Sequence, residues 1–131
     1  MIFNKKSAAW TGFFVLTLFL FTVGNSYALQ LEDEAVNKGL DYSNKGMYDE
    51  AIVEFTKATD YNSRNAAAYY NRGLAYQKNG KPDQAILDYT KALDIEPKNL
   101  DAYYNRGIIQ YSKGNFEQAV SDWSKGIDID T

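Results

Sequence analysis

The chain has 131 residues, enough for one domain, and it contains neither cysteine nor histidine. Disulfides, thiolate or imidazole catalysis and the usual zinc ligands are therefore excluded, and no cofactor is implied. The formal net charge is -3. Because no basic cluster is present, nucleic acid is not an expected partner.

The N-terminal segment, positions 1–28, has the pattern of a secretory signal peptide. Two lysines precede an apolar run over residues 8–23, and Gly24 and Asn25 are expected to break that run. Cleavage near Ala28 would give a secreted or periplasmic product. The alternative is an uncleaved membrane anchor over residues 8–23, although this run measures about 24 Å as a helix. The hydrocarbon layer is ~30 Å thick.

The rest of the chain, residues 29–131, repeats with a period of 34. The motif YYNRG at 69–73 recurs at 103–107, and a weaker upstream copy shares Gly39 and Gly46 with the corresponding positions. Such a fixed period indicates stacked supersecondary units. The three repeats are 32–65, 66–99 and 100–131.

Each repeat is predicted to contain two helices. In the second repeat, the first helix should run from about Ala66 to Lys78 and end at Gly80. Pro82 suits the first turn of the second helix, and Pro97 cannot continue it. No segment alternates as a half-buried strand does, so the fold class is all-α with about six helices.

These features resemble the tetratricopeptide repeat (TPR) family, whose unit is a helix–turn–helix of the same period. The second repeat carries the resemblance at Tyr69, Gly73, Tyr76, Ala85, Tyr89, Ala92 and Pro97. The first repeat departs at Ala35 and Ser63, and the third at Gln110 and Thr131. The resemblance implies a right-handed superhelical stack of hairpins that is not an enzyme and that binds a protein or peptide.

Small and bulky residues alternate in a way that predicts close helix packing. Gly73 and Gly107 leave room for the paired helix, with Ala85 and Ala119 as expected neighbours. The aromatic residues expected to fill the gaps are Tyr69, Tyr89, Tyr103 and Trp123.

Asn37, Asn71 and Asn105 recur with the repeat period, each in the first helix of its repeat. Asparagine is a poor helix former, so its recurrence requires another explanation. In the family that the chain resembles, asparagines of the first helices hold a peptide backbone in a concave groove. The groove residues implied here are Asn37, Tyr70, Asn71, Leu74, Tyr104, Asn105 and Ile108. The alternative is that the amides bond to a neighbouring helix and set the repeat spacing.

Charged residues form two further columns with the same spacing. The bases Lys38, Arg72 and Arg106 are matched in the second helices by the acids Glu54, Asp88 and Asp122. Matched registers predict ion pairs between the two helices of each repeat. The alternative is a basic stripe that binds acidic peptide tails.

Some members of the family clamp a C-terminal carboxylate with Lys, Asn and Arg. The corresponding positions are Val36, Leu40, Asn71, Asp101 and Asn105, of which only Asn71 agrees in type. A clamp for chaperone tails is therefore not expected, and the more apolar groove could equally accept a partner's helix.

The leading hypothesis is an extracytoplasmic adaptor or scaffold that binds a protein or peptide. The alternative is an assembly module that self-associates or docks through its C-terminal repeat, where Val120, Trp123 and Ile127 should lie exposed on a helix weakened by Gly126. No nucleophile–base arrangement indicates an enzyme. Membrane contact is expected only if the N-terminal segment is retained.

Overall fold

The computed structural model describes the backbone of residues 5–130 and the side chains of residues 15–18 and 20–129. Within this range the protein contains six helices and no strand, which confirms the all-α prediction. The helices are α1 (Lys5–Asn44), α2 (Tyr48–Tyr61), α3 (Ala66–Lys78), α4 (Pro82–Ile95), α5 (Leu100–Ser112) and α6 (Phe116–Asp130). They pair as hairpins α1–α2, α3–α4 and α5–α6, which stack in a right-handed superhelix.

The same turn joins the two helices of every hairpin. Gly46, Gly80 and Gly114 have φ values of 74°, 72° and 80°, the left-handed conformation that glycine adopts without steric cost. In the middle hairpin, the amide of Lys81 donates to the carbonyl of Tyr76 at 2.9 Å, which satisfies an otherwise unpaired carbonyl at the end of α3.

Local sequence determines where the helices of the second and third hairpins begin. Asn65 caps α3, since its side-chain oxygen accepts a hydrogen bond from the amide of Ala68 at 2.8 Å. Asn99 caps α5 in the same way through the amide of Ala102 at 2.9 Å. Pro82 occupies the first turn of α4, as predicted.

Each hairpin is closed by an aromatic ring that lies against a glycine. Phe55 and Tyr89 are completely buried, and a Cβ atom on Gly73 would lie 2.9 Å from Cε1 of Tyr89. Ala85 is a neighbour of Gly73, as predicted, since its carbonyl oxygen lies 3.4 Å from that Cβ position. The ring of Tyr89 lies closer still.

Successive hairpins pack through small residues on the first helix of the next repeat. Ala68 on α3 packs against Ala35 and Ala58 of the first hairpin. On α5, the buried Ala102 and Ile109 join a cluster with the second hairpin's residues Ala85, Tyr89 and Leu93. Burial of this apolar surface holds the stack together.

α1 continues through Gly24 and Asn25, the residues at which the apolar run of the sequence ends. Gly24 does not adopt the positive φ of a helix end, and one glycine costs a helix only about 1 kcal/mol. Exposed apolar side chains cover its described N-terminal part, including Phe21 at 73% and Tyr27 at 63%.

Within the described residues, no helix combines the length and the apolar character needed to cross a membrane. The expectations about the side chains of residues 5–14 and 19, and about Thr131, lie outside the described part of the chain.

Glu32 connects the packed part of α1 to the loop between α2 and α3 through hydrogen bonds. Its side chain is buried, and its Oε1 accepts hydrogen bonds from Nδ2 of Asn62 at 2.9 Å and from Nδ2 of Asn65 at 2.6 Å. Asn65 also caps α3. One carboxylate therefore links the first helix to the start of the second repeat.

Candidate functional site

The predicted groove residues recur on the first helix of each hairpin, on what we call the groove face. Tyr70, Asn71 and Leu74 of α3 are half-buried. On α5, the exposed fractions of Tyr104 and Ile108 are 57% and 36%. Apolar and amide side chains thus alternate along a partly open surface.

Asn105 contacts the preceding repeat. Its Nδ2 donates a hydrogen bond to the hydroxyl oxygen of Tyr70 at 3.1 Å, across the junction of α5 and α3. Burial raises the pKa of Tyr70, and the nearby carboxylate of Asp101 raises it further. The Tyr70 hydroxyl therefore keeps its proton, which can be donated to another group.

Asn71 lies in a different environment, although it is the equivalent residue of the second repeat. The residue of the first repeat that corresponds to Tyr70 by the repeat period is Val36, and a valine side chain cannot accept a hydrogen bond. Among the described residues, the Asn71 side chain has no hydrogen-bond partner. Its donors and its acceptor are thus available to a ligand.

Asn37 is the first asparagine of the series and has no preceding repeat. It is exposed on α1, and Leu40, one turn later, is exposed to 38%. The three asparagines are therefore not equivalent. One contacts a neighbouring repeat, one is half-buried and available, and one is exposed.

The predicted ion pairs are confirmed in the second and third repeats. Nε of Arg72 donates to Oδ2 of Asp88 at 2.7 Å, and Nη2 donates to Oδ1 at 2.8 Å. Arg106 holds Asp122 by the same two-point contact, at 2.9 and 2.7 Å. Both aspartates are buried, with about 5% of their surface exposed.

Threonine hydroxyls of the preceding repeat also accept hydrogen bonds from each of these arginines. Nη1 of Arg72 donates to Oγ1 of Thr56 at 3.1 Å and to Oγ1 of Thr59 at 3.2 Å, and Nη1 of Arg106 donates to Oγ1 of Thr90 at 2.8 Å. The sequence interpretation missed these contacts. The signal was present, because Thr56 and Thr90 are themselves related by the repeat period.

The predicted pair in the first repeat was wrong. Lys38 pairs with Glu34 one turn earlier in its own helix at 2.6 Å, and Glu54 pairs with Lys57 at 2.6 Å. A lysine lacks the planar fork that lets arginine bind a carboxylate at two points, so the nearer acid on the same helix is preferred. The two arginines are held by aspartates, which leaves no basic stripe from them on the groove face.

The predicted assembly residues lie at the C-terminal end of the stack. The side chains of Val120 and Ile127 are 59% and 65% exposed, and Trp123 is half-buried. A cavity of about 280 Å³ opens here, lined by Leu100, Tyr104, Trp123, Gly126 and Ile127. α6, which carries these residues, is helical from Phe116 to Asp130.

Sequence comparison identifies the repeats independently. A family described as "Tetratricopeptide repeat" matches residues 66–99 and 100–130, and one described as "TPR repeat" matches residues 39–80. A comparison with curated proteins finds no match.

Several solved structures superpose on the chain. MamA has a TM-score of 0.75 at 28% identity, covering 76% of this chain and 58% of MamA. The first TPR domain of Spaghetti (RPAP3), bound to the HSP90 peptide SRMEEVD, has a TM-score of 0.74 at 29% identity, covering 76% and 79%. The Arabidopsis OM64 TPR domain has a TM-score of 0.75 at 26% identity, covering 78% and 84%.

The repeat period, the helix–turn–helix hairpins and the family matches agree across residues 39–130. The chain belongs to the tetratricopeptide repeat family.

Proposed function

We propose that the protein is an extracytoplasmic adaptor that binds an extended peptide or protein segment on its groove face. The observation that carries the proposal is the environment of Asn71. Its amide is half-buried, has no partner in the described chain, and lies between Tyr70 and Leu74. An amide in this position offers both a donor and an acceptor to the backbone of an extended segment.

The hydroxyl of Tyr70 supports the same proposal. It already accepts a hydrogen bond from Asn105, so its proton is left for an acceptor of another kind, such as a peptide carbonyl. The flanking apolar side chains of Leu74, Tyr104 and Ile108 favour apolar residues in the ligand.

The ligand is expected to differ from that of the first Spaghetti TPR domain, whose peptide SRMEEVD is acidic. The positions that correspond to a carboxylate clamp hold Val36, Leu40 and Asp101, none of which is basic. Asp101 would repel an acidic tail, since like charges in contact are unfavourable. An uncharged or basic segment fits this face better.

The extracytoplasmic location rests on the N-terminal segment. Most of its described side chains are exposed up to Tyr27, whereas the first buried residue among those whose side chains are described is Glu32. The change from exposed to packed residues therefore follows shortly after the proposed cleavage site at Ala28. Mass spectrometry of the protein isolated from its own cells tests this directly, and a chain that still begins at Met1 argues against it.

Selection from a displayed library of random peptides tests the binding proposal. The full chain is the bait, and the affinity of a selected peptide is then measured by fluorescence polarisation for Asn71→Ala and Leu74→Ala. Each substitution should weaken binding by roughly 10-fold or more, because it removes a hydrogen bond or an apolar contact at the centre of the groove face.

Leu87→Ala is the matched control. Leu87 is 69% exposed on α4, away from the groove face, so its removal should leave the affinity unchanged. Unchanged affinity of Asn71→Ala together with a clear fall in the melting temperature would make this asparagine structural and contradict the proposal.

Assembly through the C-terminal repeat is a second candidate function. The exposure of Val120 and Ile127 and the apolar cavity beside them favour it. Sedimentation over a range of protein concentrations separates the two candidates, because assembly depends on concentration whereas peptide binding depends on the groove asparagines.

A further inference from the structure

The apolar surface at the C-terminal end is continuous across α5 and α6. We call it the end face, formed by Tyr104, Tyr111, Phe116, Val120, Trp123 and Ile127. The ring of Tyr111 packs against Phe116 with centroids 5.2 Å apart and against Trp123 with centroids 5.9 Å apart. These rings form one aromatic group that is still more than half exposed at Tyr111 and Phe116.

The second repeat shows how such a face is normally used. Tyr70, Tyr89 and Leu93 correspond to Tyr104, Trp123 and Ile127 by the repeat shift. In the second repeat this surface is covered by α5 of the next repeat, and Leu93 is only 6% exposed, against 65% for Ile127. Tyr104, Trp123 and Ile127 of the end face are thus at packing positions that no helix covers in the described chain.

The opposite end of the stack cannot cover it. The helices that pack on a preceding repeat present small or aliphatic residues, Ala68 and Ala75 on α3 and Ala102 and Ile109 on α5.

By the same shift, α1 presents Glu34 and Asp41 at these positions, each paired with a lysine of its own helix at 2.6 Å. Burying these carboxylates in an apolar face is strongly unfavourable. Head-to-tail stacking of copies into a filament is therefore blocked.

The end face itself has a pattern that suits a copy of itself. Phe116, Val120, Trp123 and Ile127 are spaced by four, three and four residues, the spacing of helices that pack along a seam. In an antiparallel pair of α6 helices with a two-fold axis between Val120 and Trp123, Val120 of one copy would contact Trp123 of the other. Phe116 of one copy would contact Ile127 of the other.

We propose that the protein forms a closed two-fold dimer through its end faces, with α6 packed against α6 of a second copy. A two-fold contact uses the same surface twice and leaves no apolar end for further growth. The cavity beside Gly126 accepts an apolar side chain of the second copy. The proposal rests on the second candidate function, assembly through the C-terminal repeat, and names its partner. The end face shares Tyr104 with the groove face but contains neither Asn71 nor Leu74, whose substitution tests peptide binding.

Sedimentation velocity of the full chain over a wide concentration range is the test, with Val120→Asp as the disrupting variant. The wild type should form dimers and nothing larger. Val120→Asp should raise the dissociation constant by roughly 100-fold or more, since the symmetric interface carries the charge twice. Leu87→Asp is the matched control, because Leu87 is similarly exposed on α4 but outside the end face.

Two further variants make the result specific. Phe21→Asp should leave the dimer intact, which separates it from association through the N-terminal segment. Replacing Glu34 and Asp41 by alanine should allow species larger than the dimer, since it removes the charge that blocks head-to-tail stacking. Ile127→Lys tests the interface at a second position and should also weaken the dimer. Circular dichroism of each variant checks that it is folded.

Three outcomes would overturn the proposal. A wild-type chain that stays monomeric at high concentration has no such dimer. A dimer that survives both Val120→Asp and Ile127→Lys uses another surface. Wild-type oligomers that grow with concentration beyond two copies are not closed. Loss of peptide affinity in the groove variants with an unchanged dimer leaves the two proposals separate.

Discussion

The side-chain amide of Asn105 donates a hydrogen bond of 3.1 Å to the hydroxyl of Tyr70, which lies in the preceding repeat. The bond crosses the junction between the second and third hairpins on the groove face. It gives Asn105 a structural role that its counterpart Asn71 does not share. The residue one repeat earlier that could accept the bond is Tyr70 for Asn105 but Val36 for Asn71.

Replacing Tyr70 by phenylalanine isolates this bond. Tyr70→Phe should lower the free energy of unfolding by about 1 kcal/mol, because it removes one hydrogen bond and leaves the Asn105 amide without its partner. Chemical denaturation measures the change. Tyr104→Phe is the control, since Tyr104 is 57% exposed and should be insensitive. Equal losses in the two variants would mean that the cross-repeat bond is not the cause.

The buried ion pair of the second repeat should be energetically coupled. Arg72→Ala and Asp88→Ala should each destabilise the protein by about 2 kcal/mol or more, because each leaves a largely buried charge unpaired. In a double-mutant cycle, the coupling energy should be ~0.5 kcal/mol or greater. The corresponding cycle on Lys57 and Glu54, a more exposed pair, should give a smaller value.

A coupling energy near zero for Arg72 and Asp88 would show that the two residues contribute independently. In that case the guanidinium of Arg72 would be available to a ligand, and the basic-stripe interpretation would return.

Two buried glycines should respond to alanine in opposite ways. Gly73→Ala should destabilise by about 1–3 kcal/mol, because the new Cβ would press on the completely buried ring of Tyr89. Gly126→Ala should stabilise by about 0.5–1 kcal/mol, since its nearest contact, Leu100 Cδ1 at 3.1 Å, is the end of a flexible side chain. Thermal unfolding of both variants shows whether each substitution raises or lowers the stability. A loss of stability for Gly126→Ala would contradict the prediction and indicate that the space beside Gly126 is too small for a methyl group.

Glu32 should be essential to the first repeat. Glu32→Ala should lower the free energy of unfolding by about 2–3 kcal/mol, because two asparagine amides lose a charged acceptor. Glu34→Ala, two positions later, should have little effect because Glu34 is exposed and its ion pair with Lys38 lies at the surface. Chemical denaturation measures the free energy of unfolding of both variants. Similar losses would contradict the special role of Glu32.

Much of this fold could be predicted because it is determined locally. Glycine and proline fix the bounds of α3 and α4, and both helices begin and end where Ala66, Lys78 and Pro82 indicate. Gly24 ends the apolar run but not α1, because a lone glycine does not end a helix unless the backbone turns into the left-handed conformation.

The site was less predictable because its contacts join different repeats. Whether an asparagine is bonded depends on the side chain one repeat earlier, a tyrosine before Asn105 and a valine before Asn71. The paired columns of charge predicted Arg72 and Arg106 correctly. They failed at Lys38, where an acid of the same helix lies closer than the acid on α2.

Arg72 binds groups on two other helices at once, the aspartate of α4 and two threonines of α2, while it belongs to α3 itself. A stack of repeats unfolds unit by unit when the interfaces between units are weak and in one step when they are strong. Because this guanidinium bonds across the junction of the first and second repeats, it strengthens their interface and favours unfolding of the two repeats in one step. Without it, the first hairpin would exchange its amide hydrogens by local opening while the other two stayed closed.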